Sequence, residues 1–199
     1  MTPDPDAGGE RVAAAFHAVR REGFLTEDQR EYASEDRPLP IGHGQTNSQP
    51  TTVRNMLELL DAQPGDRVLD VGSGSAWTTA LLGYLVGPDG GVWGVELVPE
   101  LVEWGRSNLA ATGLGLGWTS VEPAEGRLGL ARGAPYDRIL VSAESRKLPD
   151  ELVEQLATSG RLVVPVHGRL LVVDKDDDGG VDVHKVGHYA FVPLRRPQG

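Results

Sequence analysis

The 199-residue sequence contains no cysteine. Disulfide bonds, thiolate nucleophiles and thiolate metal ligands are therefore excluded. It also lacks any apolar run near the roughly 18 residues that a membrane-spanning helix needs. Basic residues are scarce: the chain has 19 lysines and arginines against 29 acidic residues, and its formal net charge is -10. A broad nucleic-acid surface requires clustered basic residues, so we expect no nucleic-acid partner.

The remaining composition is ordinary for a folded protein. Hydrophobic residues make up 39% of the chain and charged residues 24%, and a chain of this length can bury one core. The N-terminal stretch MTPDPDAGGE is acidic and interrupted by proline, unlike a signal or transit peptide. We expect one domain over 1–199, monomeric, cytoplasmic and away from membranes. Within it, 1–9 would be disordered, 10–60 would form N-terminal helices and a loop, and 64–194 would form the core.

Apolar periodicity predicts alternating helices and strands. Helices are expected at 11–22, 26–33, 50–60, 75–86, 99–112 and 149–158, and strands at 67–71, 91–96, 117–121, 137–142, 161–166, 169–174 and 181–186. This alternation predicts an α/β fold, with a doubly wound, mainly parallel, seven-stranded Rossmann-like sheet. The acidic glycine turn at 174–180 predicts an antiparallel C-terminal hairpin. Three prolines and two glycines make 37–50 an ordered loop.

A glycine turn between a strand and a helix is the most informative motif. The apolar run VLDV at 68–71 is followed at once by GSGS at 72–75, and the next apolar run, VWGVE, ends on Glu96. Strand, glycine turn, helix, strand and acid outline a nucleotide-binding βαβ unit, in which the acid holds the ribose hydroxyls. The alternatives are a plain βα turn that binds nothing and a surface acid at a strand end.

Trp77 bears on which nucleotide this turn would hold. A dinucleotide fold uses G-x-G-x-x-G, whose third glycine lets helix and strand pack beside a pyrophosphate. Here Gly72 and Gly74 are followed by Trp77 at that place, and an indole obstructs this packing. S-adenosylmethionine has no pyrophosphate, and Asp70 can face its charged end. The local chemistry therefore favours S-adenosylmethionine over NAD.

The loop before the first core strand resembles a known family. PLPIGHGQTNSQPTTV, at 38–53, is similar to the signature loop of protein-L-isoaspartate (D-aspartate) O-methyltransferases, which commonly reads PLPIG-GQT-SQP. RVLDVGSGS, GVWGVELVPELVEWGRSNL, PYDRILVSAE, LVEQLATSGRLVVPV and FVPLR resemble later parts of the same family, over about 32–194. The resemblance implies methyl transfer from S-adenosylmethionine to the free α-carboxylate of isoaspartyl residues in damaged proteins or peptides. The ester then cyclises to a succinimide, and hydrolysis returns a share of normal aspartate, which is repair.

The resemblance also implies roles for residues. Ser48 matches the loop serine beside the methyl group and the acceptor carboxylate, which makes it the catalytic candidate; its alternative role is an N-cap for the helix beginning near Pro50. The expected substrate-binding residues are His43, Gln45, Thr46 and Asn47, with turn filling as the alternative for His43. The expected cofactor-binding residues are Asp70, Gly72, Ser73, Gly74, Ser75, Glu96, Leu97, Glu125 and Gly126.

Within the cofactor set, Glu96 would take both ribose hydroxyls and Leu97 would pack on the adenine. Glu125 stands where the family usually has the acid of GDG, which contacts the adenine amino group. An acceptor carboxylate is already ionised at pH 7, so the reaction needs alignment and exclusion of water rather than a strong base. The five histidines form no ligand pattern and the DKDDDGG run lacks the last glutamate of a calcium loop, so no metal is expected.

Departures from the family pattern leave the acceptor open. Ala76 replaces the third glycine of the family's turn, and Glu144 with the following Ser-Arg-Lys replaces a small, alanine-rich stretch. The loop after Pro165 is also short. Two other functions therefore stay open: a related carboxyl methyltransferase for an aspartate of a dedicated peptide or for a small acid, and a binding module that keeps the fold without catalysis.

Overall fold

The computed structural model describes residues 7–196. Its helices are α1 (Ala7–Ala18), α2 (Pro50–Leu60), α3 (Trp77–Val86), α4 (Pro99–Ala111) and α5 (Asp150–Gln155). Its strands are β1 (Leu39–Gly42), β2 (Gln45–Asn47), β3 (Arg67–Val71), β4 (Gly91–Glu96), β5 (Thr119–Pro123), β6 (Tyr136–Val141), β7 (Leu156–Val166), β8 (Arg169–Lys175) and β9 (Val181–Val186). Short 3₁₀ helices lie at Arg21–Phe24, Glu27–Tyr32 and Ala131–Gly133. None of the helices in the described range is both long enough and apolar enough to traverse a bilayer.

One seven-stranded sheet organises the chain, in the order β5-β4-β3-β6-β7-β8-β9. The first five strands in this order are parallel, and β8 and β9 add an antiparallel end. The predicted α/β fold class with its C-terminal hairpin is thereby confirmed. The strand order reverses at β3, whose neighbours are β4 and β6. In open α/β sheets, ligands bind beyond the carboxyl ends of the strands at such a point.

The sheet is covered on both faces, as a parallel sheet requires. On one face, Val68 joins an apolar cluster with buried residues of α1, α2 and α3, such as Val12, Met56 and Leu81. On the other face, Leu69 joins Leu152 of α5 and others in a second cluster. Burial on both sides holds β3 firmly, so the turn that follows it starts from a rigid strand end.

The N-terminal region differs from its prediction. The predicted disorder of 1–6 lies outside the described residues, whereas 7–9 form the first turn of α1. The helix expected to reach residue 22 ends at Ala18, because the chain turns to bury Val19, Arg21 and Phe24. The predicted helix at 26–33 is a 3₁₀ helix. The predicted ordered loop at 37–50 contains a small antiparallel hairpin, β1–β2, followed by the start of α2.

The helix predicted at 149–158 is also wrong at its end. The helix stops at Gln155 and β7 begins at once, because Leu156 pairs with Tyr136 of β6. Lys175 donates its ammonium to the carbonyls of Val153 and Leu156, at 3.2 and 2.8 Å. Lys175 is distant in sequence, so the hydrogen bonds that satisfy these carbonyls at the end of α5 could not be predicted from the local sequence.

Candidate active site

The turn after β3 is built by backbone geometry. Gly72 and Gly74 have φ of 82° and 54°, the left-handed region that glycine enters without strain. The amides of Gly72 and Ser73 both donate to the carbonyl of Val95, at 2.8 and 3.1 Å. The turn is therefore tied to the end of β4, beside the carboxyl edge of the sheet.

Glu96 lies at the end of β4 and is only 7% exposed. Its Oε2 accepts a hydrogen bond from the Gly74 amide at 2.9 Å. Its Oε1 accepts from the amides of Leu97 and Val98, at 2.7 and 2.9 Å. Three amides thus hold one carboxylate between two turns, with charge-assisted bonds that fix its direction.

A cleft enclosing about 720 Å³ of space, part of it open to solvent, runs over this edge. Six segments line it: Gln45 and Thr46; Val71, Gly72 and Gly74; Val95 to Val98; Ala124 and Arg127 to Gly129; Ser142 and Ala143; and Val192 to Arg195. Its walls combine apolar side chains with backbone groups and the Glu96 carboxylate.

A groove with about 930 Å³ of space adjoins the cleft. Thr46, Ser142 and Val192 line both of them. Ser48 lines the groove and also a small depression that it shares with the turn residues Gly72 to Ser75. The remaining groove residues are Pro38, Gln49, Thr52, His188, Tyr189, Ala190 and Phe191. These described lining residues include no Asp, Glu, Lys or Arg, so nothing among them repels a carboxylate.

Arg21 fixes the backbone of the segment that carries Ser48. The arginine is 5% exposed, and its guanidinium donates six hydrogen bonds of 2.8 to 3.3 Å. The acceptors are Asn47 Oδ1 and the carbonyls of Ala33, Glu35, Arg37, Asn47 and Ser48. Burial lowers the pKa of Arg21 to about 10, which still leaves it protonated at neutral pH.

The chain is similar to proteins of one known family over nearly its whole length. The model of the family described as Protein-L-isoaspartate(D-aspartate) O-methyltransferase (PCMT) matches residues 7–198. The chain belongs to this family. A protein-L-isoaspartate O-methyltransferase of Aeropyrum pernix is 48% identical over 188 residues, which cover 92% of this chain and 72% of that protein. The resemblance seen in the signature loop is confirmed.

Two solved structures have the same fold. A protein-L-isoaspartate O-methyltransferase is 26% identical and superposes with a TM-score of 0.84, covering 94% of this chain and 61% of that one. A Plasmodium falciparum protein described as a putative member of the family, solved in complex with S-adenosyl-L-homocysteine, is 24% identical, with a TM-score of 0.81 and coverage of 94% and 91%. At 24% identity, the similarity to the Plasmodium falciparum structure shows that the two proteins share a fold.

The structure brings many of the predicted site residues together. Gln45, Thr46, Gly72, Gly74, Glu96 and Leu97 line the cleft. Ser48 lies in the groove, and Ser73 and Ser75 lie with it in the depression at the turn. The alternative role of Ser48 is wrong, because the N-cap position of α2 belongs to Gln49. A carboxylate oxygen of Asp36 takes the exposed Thr51 amide at 2.8 Å instead.

Four predicted residues lie elsewhere. His43 is exposed at the tip of the β1–β2 hairpin with φ of 53°, the position of its turn-filling alternative. Glu125 is exposed and forms a 3.1 Å ion pair with Arg132 outside the cleft, and neither it nor Gly126 lines the cleft. Asp70 is fully buried beneath the turn, where its Oδ2 accepts from the Thr79 hydroxyl at 2.7 Å. Burial, with a contribution from the Glu96 charge, raises the pKa of Asp70 to about 7.

Asn47 also differs from its predicted role as a substrate ligand. Its side chain is 5% exposed, and its Oδ1 accepts from Arg21 Nε at 2.8 Å. Its Nδ2 donates to Ser75 Oγ at 3.3 Å. Both ends of the amide are therefore engaged within the protein, between the Ser48 segment and the glycine turn.

Several site residues were missed from sequence. The segment 192–195 lines the cleft and is held by Glu144: the Glu144 amide donates to the Val192 carbonyl and the Leu194 amide donates to the Glu144 carbonyl, both at 2.8 Å. The Glu144 carboxylate accepts from the Gly168 amide at 3.1 Å and lines neither the cleft nor the groove. Glu144 thus holds one segment of the cleft wall, and its charge, which was a reason to leave the acceptor open, does not face the groove. The FVPLR run was the available signal for this segment.

Proposed function

We propose that this protein transfers a methyl group from S-adenosylmethionine to the free α-carboxylate of L-isoaspartyl residues in proteins or peptides. One observation carries the proposal: in a chain of this family, the cleft over the glycine turn and the neutral groove meet at Thr46 and Ser142, with Ser48 beside them. A nucleoside cofactor in the cleft and an acceptor in the groove would face each other at these hydroxyls.

The residues of the cleft fit S-adenosylmethionine. Glu96 presents a carboxylate whose direction is set by three amides, and the lone pair that remains on its Oε2 can accept from a ribose hydroxyl. Leu97, at 36% exposure one of the more exposed large apolar side chains, lies at the cleft wall, where it can cover an adenine ring. Gly72 and Gly74 leave room for the methionine part. When bound, the cofactor supplies an electrophilic methyl group.

The acceptor side then needs to bind and align a carboxylate. That group is ionised at neutral pH, so no residue has to remove a proton. The hydroxyls of Ser48, Thr46 and Ser142 can donate to the oxygen that does not react and so orient the one that does. Tyr189 and Phe191 wall the groove and exclude water.

The structure weakens the reason for considering a different acceptor. The charged residue that departed from the family pattern, Glu144, bonds to the backbone of the β7–β8 turn and of 192–194 rather than facing the groove. The groove lining also consists of hydroxyl, amide, imidazole and apolar groups with no acidic residue, a surface that suits a peptide carboxylate. Both observations support a peptide carboxylate as the acceptor.

Methyl transfer to matched peptides tests the proposal. The peptides have one sequence, with isoaspartate in one and aspartate in the other, and the methyl group of S-adenosylmethionine is labelled. We expect base-labile label on the isoaspartyl peptide alone. Equal label on the aspartyl peptide would indicate another carboxylate acceptor, and binding of the cofactor without label on either peptide would contradict the proposal.

Ser48→Ala tests the acceptor contact. Loss of a hydrogen bond to a charged group should lower kcat/KM for the isoaspartyl peptide about 10- to 100-fold. The affinity for S-adenosylhomocysteine should change less than about twofold, since Ser48 does not line the cofactor cleft. Ser107→Ala, on the exposed face of α4, is the control. If cofactor affinity falls together with activity, Ser48 serves the structure of the loop instead.

A further inference from the structure

We propose that Arg21 is the positioning residue of the methyl acceptor site: it fixes the segment 33–48, here called the acceptor loop, at a set distance from the glycine turn. The inference rests on the proposed function for the loop's role in binding the acceptor. Arg21 touches neither the cleft nor the groove, so it acts through the residues that it holds.

Arg21 is the shared hydrogen-bond donor for several backbone groups of the acceptor loop. Five loop carbonyls, between Ala33 and Ser48, point at the guanidinium. Buried carbonyls without a donor are destabilising by about 1–3 kcal/mol each in typical cases. A guanidinium has five N–H donors in a planar fork and can serve carbonyls from several directions, whereas a lysine ammonium has three donors at one point. The geometry is therefore specific to arginine.

The same arginine connects the loop to the glycine turn by two routes. Through Asn47, Arg21 reaches the hydroxyl of Ser75 in the turn. Its guanidinium carbon also lies 5.4 Å from the ring centroid of Trp77, the first residue of α3. The Trp77 indole in turn donates to the Val19 carbonyl at 3.2 Å, just before Arg21.

These contacts hold the backbone on which Ser48 is carried. Its carbonyl accepts from Arg21 Nη2 at 3.0 Å, and the preceding residue, Asn47, is held at both its carbonyl and its side chain. Displacement of this backbone by 1 Å would shift the Ser48 hydroxyl and, with it, the acceptor oxygen that must lie in line with the methyl group. Alignment errors of this size lower rates by up to about 100-fold. Arg21 should therefore affect turnover more than cofactor binding.

Arg21→Lys is the principal test, and Arg11→Lys is its matched control. Arg11 also joins the N-terminal helix to backbone and side-chain oxygens, those of Ala62 and Gln63, but far from the acceptor loop. We expect Arg21→Lys to lower kcat/KM for the isoaspartyl peptide about 30-fold, mainly through kcat. Its affinity for S-adenosylhomocysteine should change less than about threefold, and Arg11→Lys should leave both quantities within about twofold.

Hydrogen exchange supplies a readout that needs no acceptor. With S-adenosylhomocysteine bound, amides of 39–48 should exchange about tenfold faster in Arg21→Lys than in the native protein, while amides of 67–76 should not change. If the native protein fails to methylate the isoaspartyl peptide, the proposed function fails, and the exchange result still decides the role of Arg21. Unchanged exchange at 39–48, or an equal loss of cofactor affinity, would overturn the inference.

Asn47 variants keep the inference testable if Arg21→Lys does not fold. Asn47→Asp retains an acceptor for Arg21 and can accept from the Ser75 hydroxyl, whereas Asn47→Leu retains neither contact. We expect Asn47→Asp to keep exchange at 39–48 near the native rate and Asn47→Leu to raise it. Identical behaviour of the two variants would show that these polar contacts do not position the loop.

Discussion

The two sides of the active site are built differently. The cofactor side consists of the glycine turn and Glu96, which belong to consecutive elements of one βαβ unit and are joined mostly through backbone amides. The acceptor side combines the acceptor loop with Ser142 and the segment 188–192, and a buried side chain, Arg21, holds its loop. A binding site made from local backbone geometry can be recognised from a short sequence motif, whereas a binding site assembled from distant segments cannot.

The largest effect should come from Glu96→Ala, which breaks the cofactor side alone. The variant removes the proposed acceptor of a ribose hydroxyl and the acceptor of the Gly74 amide. Affinity for S-adenosylhomocysteine should fall about 100-fold, which corresponds to about 3 kcal/mol and is measurable by calorimetry. Hydrogen exchange in the acceptor loop should remain native, because Arg21 and Asn47 are untouched.

Glu125→Ala is the informative control for that experiment. The resemblance assigned Glu125 to the adenine, but the structure places it in an ion pair with Arg132 outside the cleft. Its removal should therefore change cofactor affinity less than about twofold. A loss comparable with that of Glu96→Ala would mean that Glu125 swings into the cleft on binding.

Asp70→Asn should change how the free energy of unfolding depends on pH. Burial raises the pKa of Asp70 to about 7 from an ordinary value of 3.8. Between these values the unfolded chain has lost the proton that the folded protein keeps, so the contribution of Asp70 to stability falls as pH rises and levels off above about pH 7. The asparagine variant does not titrate, and its gain in the free energy of unfolding should reach about 4 kcal/mol at pH 8 and vanish near pH 4.

Denaturant unfolding at several pH values measures this difference. Asp89→Asn, at an exposed turn, makes the same chemical change without burial and should follow the native curve. Parallel curves for Asp70→Asn and the native protein would show that Asp70 remains ionised in the folded state across this range. Such a result would place a compensating donor beside its carboxylate.

The same comparison explains what the sequence could predict. The bounds of α2, β3, β4 and β9 were predicted as observed, because apolar spacing and glycine or proline boundaries decide them locally. The end of α1, the end of α5 and the β1–β2 hairpin were not, since partners such as Arg21 and Lys175 decide them from far along the chain. No local sequence pattern predicts that one arginine will bind five carbonyls.

The candidate site divides in the same way. Gly72, Gly74 and Glu96 could be found from spacing, and Ser48 and Thr46 from the signature loop, because each belongs to a continuous motif. Ser142 and 192–195 reach the site through the topology of the sheet and the pairing with Glu144. Asn47 lay inside the motif, but its contacts with Arg21 and Ser75 depend on tertiary structure and gave it a different role.

The smallest predicted effect concerns Ala76, the residue in place of the family's third glycine. Ala76 has φ of 71° and is fully buried. Ala76→Gly should relieve about 1 kcal/mol of left-handed strain but lose a buried methyl group of similar value, so stability should change by less than about 0.5 kcal/mol. Denaturant unfolding and cofactor titration should both give near-native results.

Gly105 of α4 sharpens this prediction, because a Cβ added there would lie 3.3 Å from the Ala76 methyl group and 3.4 Å from the Gly74 carbonyl. In the native background, this crowding should cancel the roughly 1 kcal/mol that alanine contributes over glycine inside a helix. With Ala76→Gly already present, Gly105→Ala should become stabilising by about 0.5 kcal/mol, which a double-mutant cycle resolves as coupling. Additive effects would show instead that the Gly74 carbonyl, and thus the backbone of the glycine turn, sets how closely α4 can pack.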